Sequence, residues 1–387
     1  MNDFRASISK NVKIYKIHTP FATLYVAQLQ DNYVHYCYGG TRLVSPELPV
    51  VEIHRILKKL TIEESECKNR LINIAIPNLR IEYDRLPKEF SKSKVGGARC
   101  IIQPINKDIY ELLLNPENEK FESCIQGIFR ELGDWLNKRK GIIKLTPDFG
   151  KYAGLADLLH TYTENVLGIA CNKGGCGGKS SYSAHGVITA LEYLVSNYRE
   201  LPITLIGANG SMGGYILNFL QESQANDIAV CDLAYTRKEV HAPLGCQLLP
   251  AEPRKFTDEC LKRGGVIIAT TYGEELENSN LRSIPSNSIL IMAHNLSIPS
   301  GAKGLNLTRN LYDRNIVVIN GQILTLGGAL TSRLEWYSRL NGIKDFNKPL
   351  AFELVTTVTQ YLCQLIRNNS MPFFHSMLHI LKNGANL

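Results

Sequence analysis

What the sequence lacks narrows its class first. No stretch reaches the roughly 18 uninterrupted apolar residues of a membrane-spanning helix. The opening run, Met1-Asn-Asp-Phe-Arg-Ala-Ser-Ile-Ser-Lys10, has no apolar core of a secretory leader, so a cytoplasmic protein with no membrane partner is expected. The ten cysteines are scattered, and Cys171 and Cys176 have no second pair at zinc-ligand spacing. Reduced thiols and no metal site are therefore expected. Positive charge is thin, since a net +7 is spread over 387 residues. Its densest run, Lys138-Arg-Lys140, ends an amphipathic helical pattern (Phe129, Leu132, Trp135, Leu136). A solvated helix end is favoured there over a nucleic-acid surface, which needs a longer basic stripe interleaved with aromatics. No internal repeat or low-complexity tract is visible.

The composition that remains is 44% hydrophobic and 20% charged, which suits two globular domains, each with its own core. The most informative stretch is Ile203-Thr-Leu-Ile-Gly-Ala-Asn-Gly-Ser-Met-Gly213. An apolar strand runs into Gly207, Gly210 and Gly213, and a helix follows. A second apolar run, Ile228-Ala-Val-Cys231, ends on Asp232. Gly207 permits a tight turn, Gly210 lets backbone approach a pyrophosphate, and Gly213 lets the helix pack on the strand. Asn209, Ser211 and Met212 complete the loop, whose helix N-terminus offers N–H donors to phosphate. Asp232 is placed to accept from a ribose 2′-OH, which favours NAD; Arg237 and Lys238 leave NADP open. The competing reading is a glycine-rich turn in some other α/β protein.

Strand-like runs at Ile203–Ala208, Ile228–Leu233, Val266–Thr271, Ile289–Ala293 and Ile316–Ile319 are almost continuously apolar, as parallel strands buried on both faces are. Helical patterns such as Tyr215–Gln221 lie between them. The expected fold class is α/β, with a doubly wound Rossmann-type dinucleotide-binding domain over 181–335. A helix over Ser183–Arg199 leads into it, with Val187, Ala190, Leu191, Leu194 and Val195 as its apolar stripe and Ser180, Ser181 or Ser183 as N-cap. Before it, Cys171-Asn-Lys-Gly-Gly-Cys-Gly-Gly178 reads as a glycine-rich hinge. Residues 1–180 read as a second α/β domain, with a strand at Ala22–Gln28, a helix at Val51–Leu60 and a strand at Cys100–Gln103. Phe352–Arg367 is amphipathic.

Six short blocks, in order, resemble the glutamate/leucine/phenylalanine/valine dehydrogenase family, above all its leucine and phenylalanine type. They are Tyr38-Gly-Gly-Thr-Arg-Leu43, Val95-Gly-Gly-Ala-Arg-Cys100, Leu145-Thr-Pro-Asp-Phe-Gly150, Ser183-Ala-His-Gly-Val187, the glycine triplet, and Thr325-Leu-Gly-Gly-Ala329. The resemblance implies an N-terminal substrate domain completed by C-terminal helices (336–387), an active site in a cleft beside the cofactor domain, and a homo-oligomer. It also implies NAD(P)-dependent oxidative deamination of a small amino acid to a 2-oxo acid, and the reverse.

Residue by residue, the resemblance makes Asp148 the proton relay to the substrate nitrogen; its residues alone favour a loop carboxylate capping the following helix. Gly39 and Gly40 match a substrate-pocket turn, or a plain turn. Ser183 matches a nicotinamide-contacting hydroxyl, or a helix cap. Asn295 matches an asparagine near the substrate amine, or a strand-to-loop turn. Tyr36, Cys37 and Tyr38 line a pocket or the core. The departures concern the substrate side. Arg99 stands where the family has a lysine that activates water, and arginine is effectively always charged. A carboxylate-binding lysine falls near Pro87, with Lys88 one residue away and Lys92 a competitor. Thr325 replaces the usual asparagine. Hydride transfer at a C–N bond of an amino, oxo or imino acid, with chemistry altered around Arg99, is the leading expectation. A non-catalytic nucleotide-binding or regulatory homologue is the alternative.

Overall fold

A computed structural model describes residues 11–30, 36–79, 85–91, 95–150, 152–271, 275–276, 278–295, 298 and 301–368. Lys92 and the ten opening residues lie outside them. The chain forms two compact units. One takes the chain to Asn73, 81–Gly178 and Thr331–Lys348; the other takes Ile74–Arg80, Lys179–Leu330 and the chain from Pro349.

The first unit is built on a five-stranded sheet of β1 (Val12–His18), β2 (Ala22–Leu29), β3 (Tyr36–Leu43), β4 (Val95–Pro104) and β5 (Ile143–Thr146), in the order β1-β2-β4-β3-β5. β3 runs parallel to β4 and β5, whereas β2 is antiparallel to β1 and β4. On one face, α1 (Val50–Lys59) buries Ile53 and Leu57 over Tyr25, Ala27 and Ile101. α1 continues unbroken through a π-helical segment, Leu60–Glu66, into α2 (Cys67–Ala75). On the other face, α3 (Phe121–Lys138) buries Ile125, Ile128, Phe129, Leu132 and Leu136, an apolar stripe at helical spacing.

Gly39 and Gly40, expected in a turn, lie inside β3, paired with Leu145 and Thr146 of β5. A Cβ on Gly39 would sit 1.7 Å from the Ala98 carbonyl oxygen, so strand-to-strand approach requires glycine there. A Cβ on Gly97 would come within 2.7 Å of both Thr61 O and Glu66 N, because the π segment rests its backbone on that residue.

The second unit holds six parallel strands: β6 (Pro202–Ile206), β7 (Asp227–Cys231), β8 (Gln247–Leu249), β9 (Val266–Ala269), β10 (Ile289–Met292) and β11 (Val317–Ile319). Their order is β8-β7-β6-β9-β10-β11. This is the doubly wound arrangement in which strand order reverses between β6 and β9. All five expected strands are present, each slightly shorter than its apolar run, and β8 is additional.

α4 (Ser180–Leu194) begins three residues before the expected helix and stops five short of its expected end. No side chain caps it, since Lys179 is the N-cap and Ser183 N donates to Lys179 O at 3.0 Å inside the first turn. α5 (Ser211–Glu222) follows the glycine loop. α6 (Leu326–Leu340) precedes α7 (Lys348–Asn368). From Pro349 on, α7 belongs with the second unit rather than the first. The Phe352 ring packs 4.8 Å from that of Tyr182, Thr356 Oγ1 lies 2.7 Å from His185 Nε2, and Cys363 joins the core of α4 and β6. Among the described residues no helix is long and apolar enough to cross a membrane.

Two neighbouring glycines of α5 separate packing from propensity. A Cβ on Gly213 would lie 2.1 Å from Gly207 O, whereas one on Gly214 meets nothing within 4 Å. Gly213→Ala is expected to destabilise by about 3 kcal/mol through overpacking. Gly214→Ala is expected to stabilise by about 0.5–1 kcal/mol through helix propensity. Denaturant unfolding of both variants reads the two opposite signs.

Candidate functional site

In the first unit, the carboxyl ends of β3 and β5 lie side by side because the strands are parallel and adjacent. Asp148 follows β5, and its Oδ1 accepts from Thr41 N of β3 at 2.6 Å. That bond spans 107 residues and replaces the local helix cap suggested by the sequence. The next helix, Leu155–His160, has Gly154 at its N-cap and no side-chain cap.

Gly40 is the floor of this place. A Cβ there would lie 2.5 Å and 2.6 Å from the two Asp148 oxygens and 2.6 Å from Arg99 Nη1. Arg99 and Asp148 therefore meet over one glycine. Asp148 is exposed, whereas the Arg99 side chain is 12% exposed. Arg99 reaches this spot from β4 and is held from behind. Its Nε donates to Ser65 Oγ at 2.8 Å, and its Nη2 is ion-paired with Glu64 Oε1. A fork gripped on two nitrogens has its third, Nη1, aimed in a fixed direction.

Both clamps come from the π segment, which turns a polar face inward. Glu64, Ser65, Glu66, Lys68 and Asn69 are all buried. Gly97 N donates to Glu66 Oε2 at 3.0 Å, and Asn69 Nδ2 donates to Gly96 O at 2.8 Å. Lys68, absent from the residues singled out by sequence, belongs to this cluster. Burial pulls its ammonium down to about 8, Arg99 pulls in the same direction, and Glu64, Cys67 and Asp148 oppose them. Lys88 is exposed, and its backbone carbonyl accepts from Asn341 Nδ2 at 3.4 Å. It is not among the groups gathered around Arg99. The signal for Lys68 in the sequence is the run Cys67-Lys-Asn-Arg-Leu71, one helical turn after Glu64.

Tyr36 and Tyr38 pack edge-on to Trp336, with ring centroids at 5.2 Å and 6.1 Å, and burial pushes the Tyr38 phenol upward. Tyr38 is therefore a core residue. So is Cys37, whose thiol burial pushes up to about 12.

In the second unit, the glycine loop lies at the carboxyl end of β6, beside the point of strand-order reversal. Gly207 sits at φ +82°. Gly210 is the N-cap of α5 with no side-chain cap, so the first-turn N–H groups are left for a ligand. Asn209, Gly210 and Ser211 are exposed, Met212 is half-buried and Gly213 is buried. Asp232 is locked at the end of β7: its Oδ2 accepts from Asn209 N and its Oδ1 from Ala234 N, each at 3.0 Å. This arrangement fits a dinucleotide, with donors for a pyrophosphate and a fixed carboxylate beside them.

Two more sequence-selected groups meet partners in this unit. Asn295 Oδ1 accepts from Thr325 Oγ1 at 2.9 Å. Gly327 and Gly328 lie against the start of α4, where a Cβ would come within 2.0 Å of Tyr182 O and 3.2 Å of Ser183 Oγ respectively. Next to Asn295, buried His294 contacts Ala269 O through Nδ1 at 3.2 Å, and its Nε2 lies 3.9 Å from Glu275 Oε2. Thr271 Oγ1 donates to that same oxygen at 2.6 Å. His294 and Glu275 were not singled out by sequence, where each looks like a loop residue.

No protein-family model and no curated protein matches the sequence. Solved structures do match in fold. L-tryptophan dehydrogenase from Nostoc punctiforme is 12% identical with a TM-score of 0.65, the match covering 100% of this chain and 98% of that one. The hetero-hexameric glutamate dehydrogenase from Thermus thermophilus is 15% identical with a TM-score of 0.66, over 97% and 88% of the two chains. Glutamate dehydrogenase from Peptoniphilus asaccharolyticus is 14% identical with a TM-score of 0.64, over 99% and 92%. The chain shares the fold of these amino-acid dehydrogenases.

Buried His294 makes the stability of the second unit depend on pH. Burial lowers its folded-state pKa, and Glu275 only partly offsets this. Below the ordinary histidine value of about 6.5 the unfolded chain binds a proton that the folded chain refuses. Stability is therefore expected to fall as pH drops below about 6.5, by at most about 1.4 kcal/mol per pH unit from this group. His294→Gln should flatten that slope in unfolding measured between pH 5 and 8.

Proposed function

We propose that the protein is a NAD(P)-dependent oxidoreductase of the amino-acid dehydrogenase type, acting at the C–N bond of a small amino, oxo or imino acid. The observation that carries the reading is the meeting of Arg99 Nη1 and Asp148 over Gly40. A fixed cation and an exposed carboxylate over a glycine floor suit a substrate with one anionic group and one nitrogen that gains or loses protons. The fold shared with amino-acid dehydrogenases supports the same reading.

In this reading Arg99 holds the substrate carboxylate through Nη1. Asp148 carries a proton to and from the substrate nitrogen. Gly40, having no Cβ, lets Arg99 and Asp148 come this close to one strand position. The first-turn N–H groups after Gly210 hold the pyrophosphate, Asp232 accepts from the ribose, and Ser183 offers its hydroxyl to the nicotinamide. Bound there, a nicotinamide cofactor takes or gives the hydride. Because Arg99 stays charged, it orients and stabilises but does not move protons. The chemistry is thus altered from the family pattern at that position. Lys88 has no part in this reading, and assembly into a homo-oligomer belongs to it.

Fluorescence titration is expected to show binding of NADH, and Asp232→Ala to weaken it about tenfold, or ~1.4 kcal/mol, while NADPH binding changes less. Reductive amination of a panel of 2-oxo acids, with ammonia and NADH, is expected to show turnover. Asp148→Asn should lower that turnover by about 10²–10⁴-fold with NADH binding unchanged. Absence of NADH and NADPH binding by the intact chain sinks the reading.

A further inference from the structure

We propose that Cys231 and Cys260 form a redox site in the second unit, joined as a disulfide by a hydroperoxide, and that this bond lowers affinity for the dinucleotide. The effect on the dinucleotide rests on the reading above; the bond itself does not. Three observations carry the inference. First, the two thiols converge on one atom. Cys231 Sγ donates to Pro250 O at 3.2 Å, and Cys260 Sγ donates to the same oxygen at 3.7 Å. Thr257 Oγ1 lies 3.1 Å from that oxygen and 3.1 Å from Cys260 Sγ. Second, the pair is close to solvent. Both cysteines are buried, but Pro250, whose carbonyl they share, is exposed, as are residues 252–255 after it. Third, Cys231 is tied to the glycine loop. Its backbone carbonyl accepts from Gly207 N at 2.8 Å, and the next residue, Asp232, accepts from Asn209 N at 3.0 Å.

The two sulfurs differ in character. The hydrogen bond from Cys231 lowers the Cys260 thiol below its ordinary value; burial opposes it, and Thr257 adds to it. The same hydrogen bond, with burial, raises Cys231. Cys260 is therefore the sulfur that yields a thiolate, the form that attacks. With hydrogen peroxide, that thiolate takes one peroxide oxygen as the O–O bond breaks. The departing hydroxide takes up the proton that Cys260 released and becomes water. Cys260 is left as a sulfenic acid. The Cys231 sulfur then attacks the Cys260 sulfur. The S–S bond forms as the S–O bond breaks, and the Cys231 proton leaves with the hydroxyl as a second water. Each sulfur loses one electron, and the peroxide is reduced to two waters. The bond removes both S–H donors from Pro250 O and draws the Cys231 side chain toward Cys260. Cys231 ends β7, so the displacement falls on the residue that holds Gly207 N and precedes Asp232.

The test uses the intact chain in two arms. In the first, the reduced protein is treated with hydrogen peroxide, digested without reductant, and its peptides are identified by mass spectrometry. A linked pair carrying Cys231 and Cys260 is expected, and exposed Cys171 reports that the oxidant has reacted. Oxidised Cys171 without that pair, or either partner linked to half-buried Cys246 instead, overturns the assignment. In the second arm, NADH is titrated by fluorescence into the same samples. Affinity is expected to fall about tenfold on oxidation and to return with dithiothreitol. In Cys260→Ser, whose hydroxyl replaces the thiol as a donor, peroxide is expected to leave NADH affinity unchanged. A bridged chain with unaltered NADH affinity overturns the effect on the dinucleotide. An equal loss of affinity in peroxide-treated Cys260→Ser does the same, because it assigns the loss to another thiol. A reduced chain that binds neither NADH nor NADPH defeats the dinucleotide reading and the effect on affinity with it, while the linked peptides still decide the bond.

Discussion

Close approach of a helical backbone to glycines in two strands is the constraint on which the first unit depends. The π segment rests on Gly97, and Ser65 lies against Gly39, at distances that leave no room for a Cβ. Because backbone meets backbone, the side chains of that helical face do not spread over an apolar surface. They drop into the sheet as polar groups, and each must find a partner there, since an unpaired buried polar group costs on the order of 1–3 kcal/mol. Glu66 finds Gly97 N, Asn69 finds Gly96 O, and Glu64 and Ser65 find Arg99. The orientation of Arg99 is therefore a consequence of how α1, the π segment and α2 dock. A π segment suits this role because its wider turn shifts side chains off the ordinary helical stripe, and such segments are frequent at functional sites.

The second unit is organised by a different constraint, the reversal of strand order between β6 and β9. At that point the loops after adjacent strands diverge and leave room above the sheet edge. Gly207 turns the chain there with a positive φ, and Gly213 brings α5 against the same turn. Asp232 is fixed before any ligand arrives, because Asn209 N and Ala234 N already occupy both carboxylate oxygens from one side. A carboxylate held in this way loses little rotamer freedom on accepting a further hydrogen bond, which favours binding.

Legibility in the sequence followed burial symmetry. The strands of the second unit are covered on both faces, so Val266-Ile-Ile-Ala269 and its neighbours are apolar throughout and stand out. The glycine loop and Asp232 stood out because their spacing is set locally. The first unit hid more. β1 is a half-buried edge strand of mixed composition, and β3 carries two glycines that imitate a turn. The run Thr61–Arg70 is polar enough to pass for a solvated surface, yet most of it is buried, because glycines far along the chain on β4 receive it. Lys68 lies within that buried polar run and for this reason does not stand out in the sequence.

Arg99 and Lys68 are better understood as one unit than as a lost residue and a spare one. Burial is the larger reason that the Lys68 ammonium is disfavoured, and the permanent charge of Arg99 is the next that acts in that direction. Two cations near one another cannot both be stabilised by the same carboxylates without one of them yielding. Arginine does not yield, so the lysine does. Arg99 is therefore the permanent charge of this buried polar cluster, its direction fixed by Glu64 and Ser65.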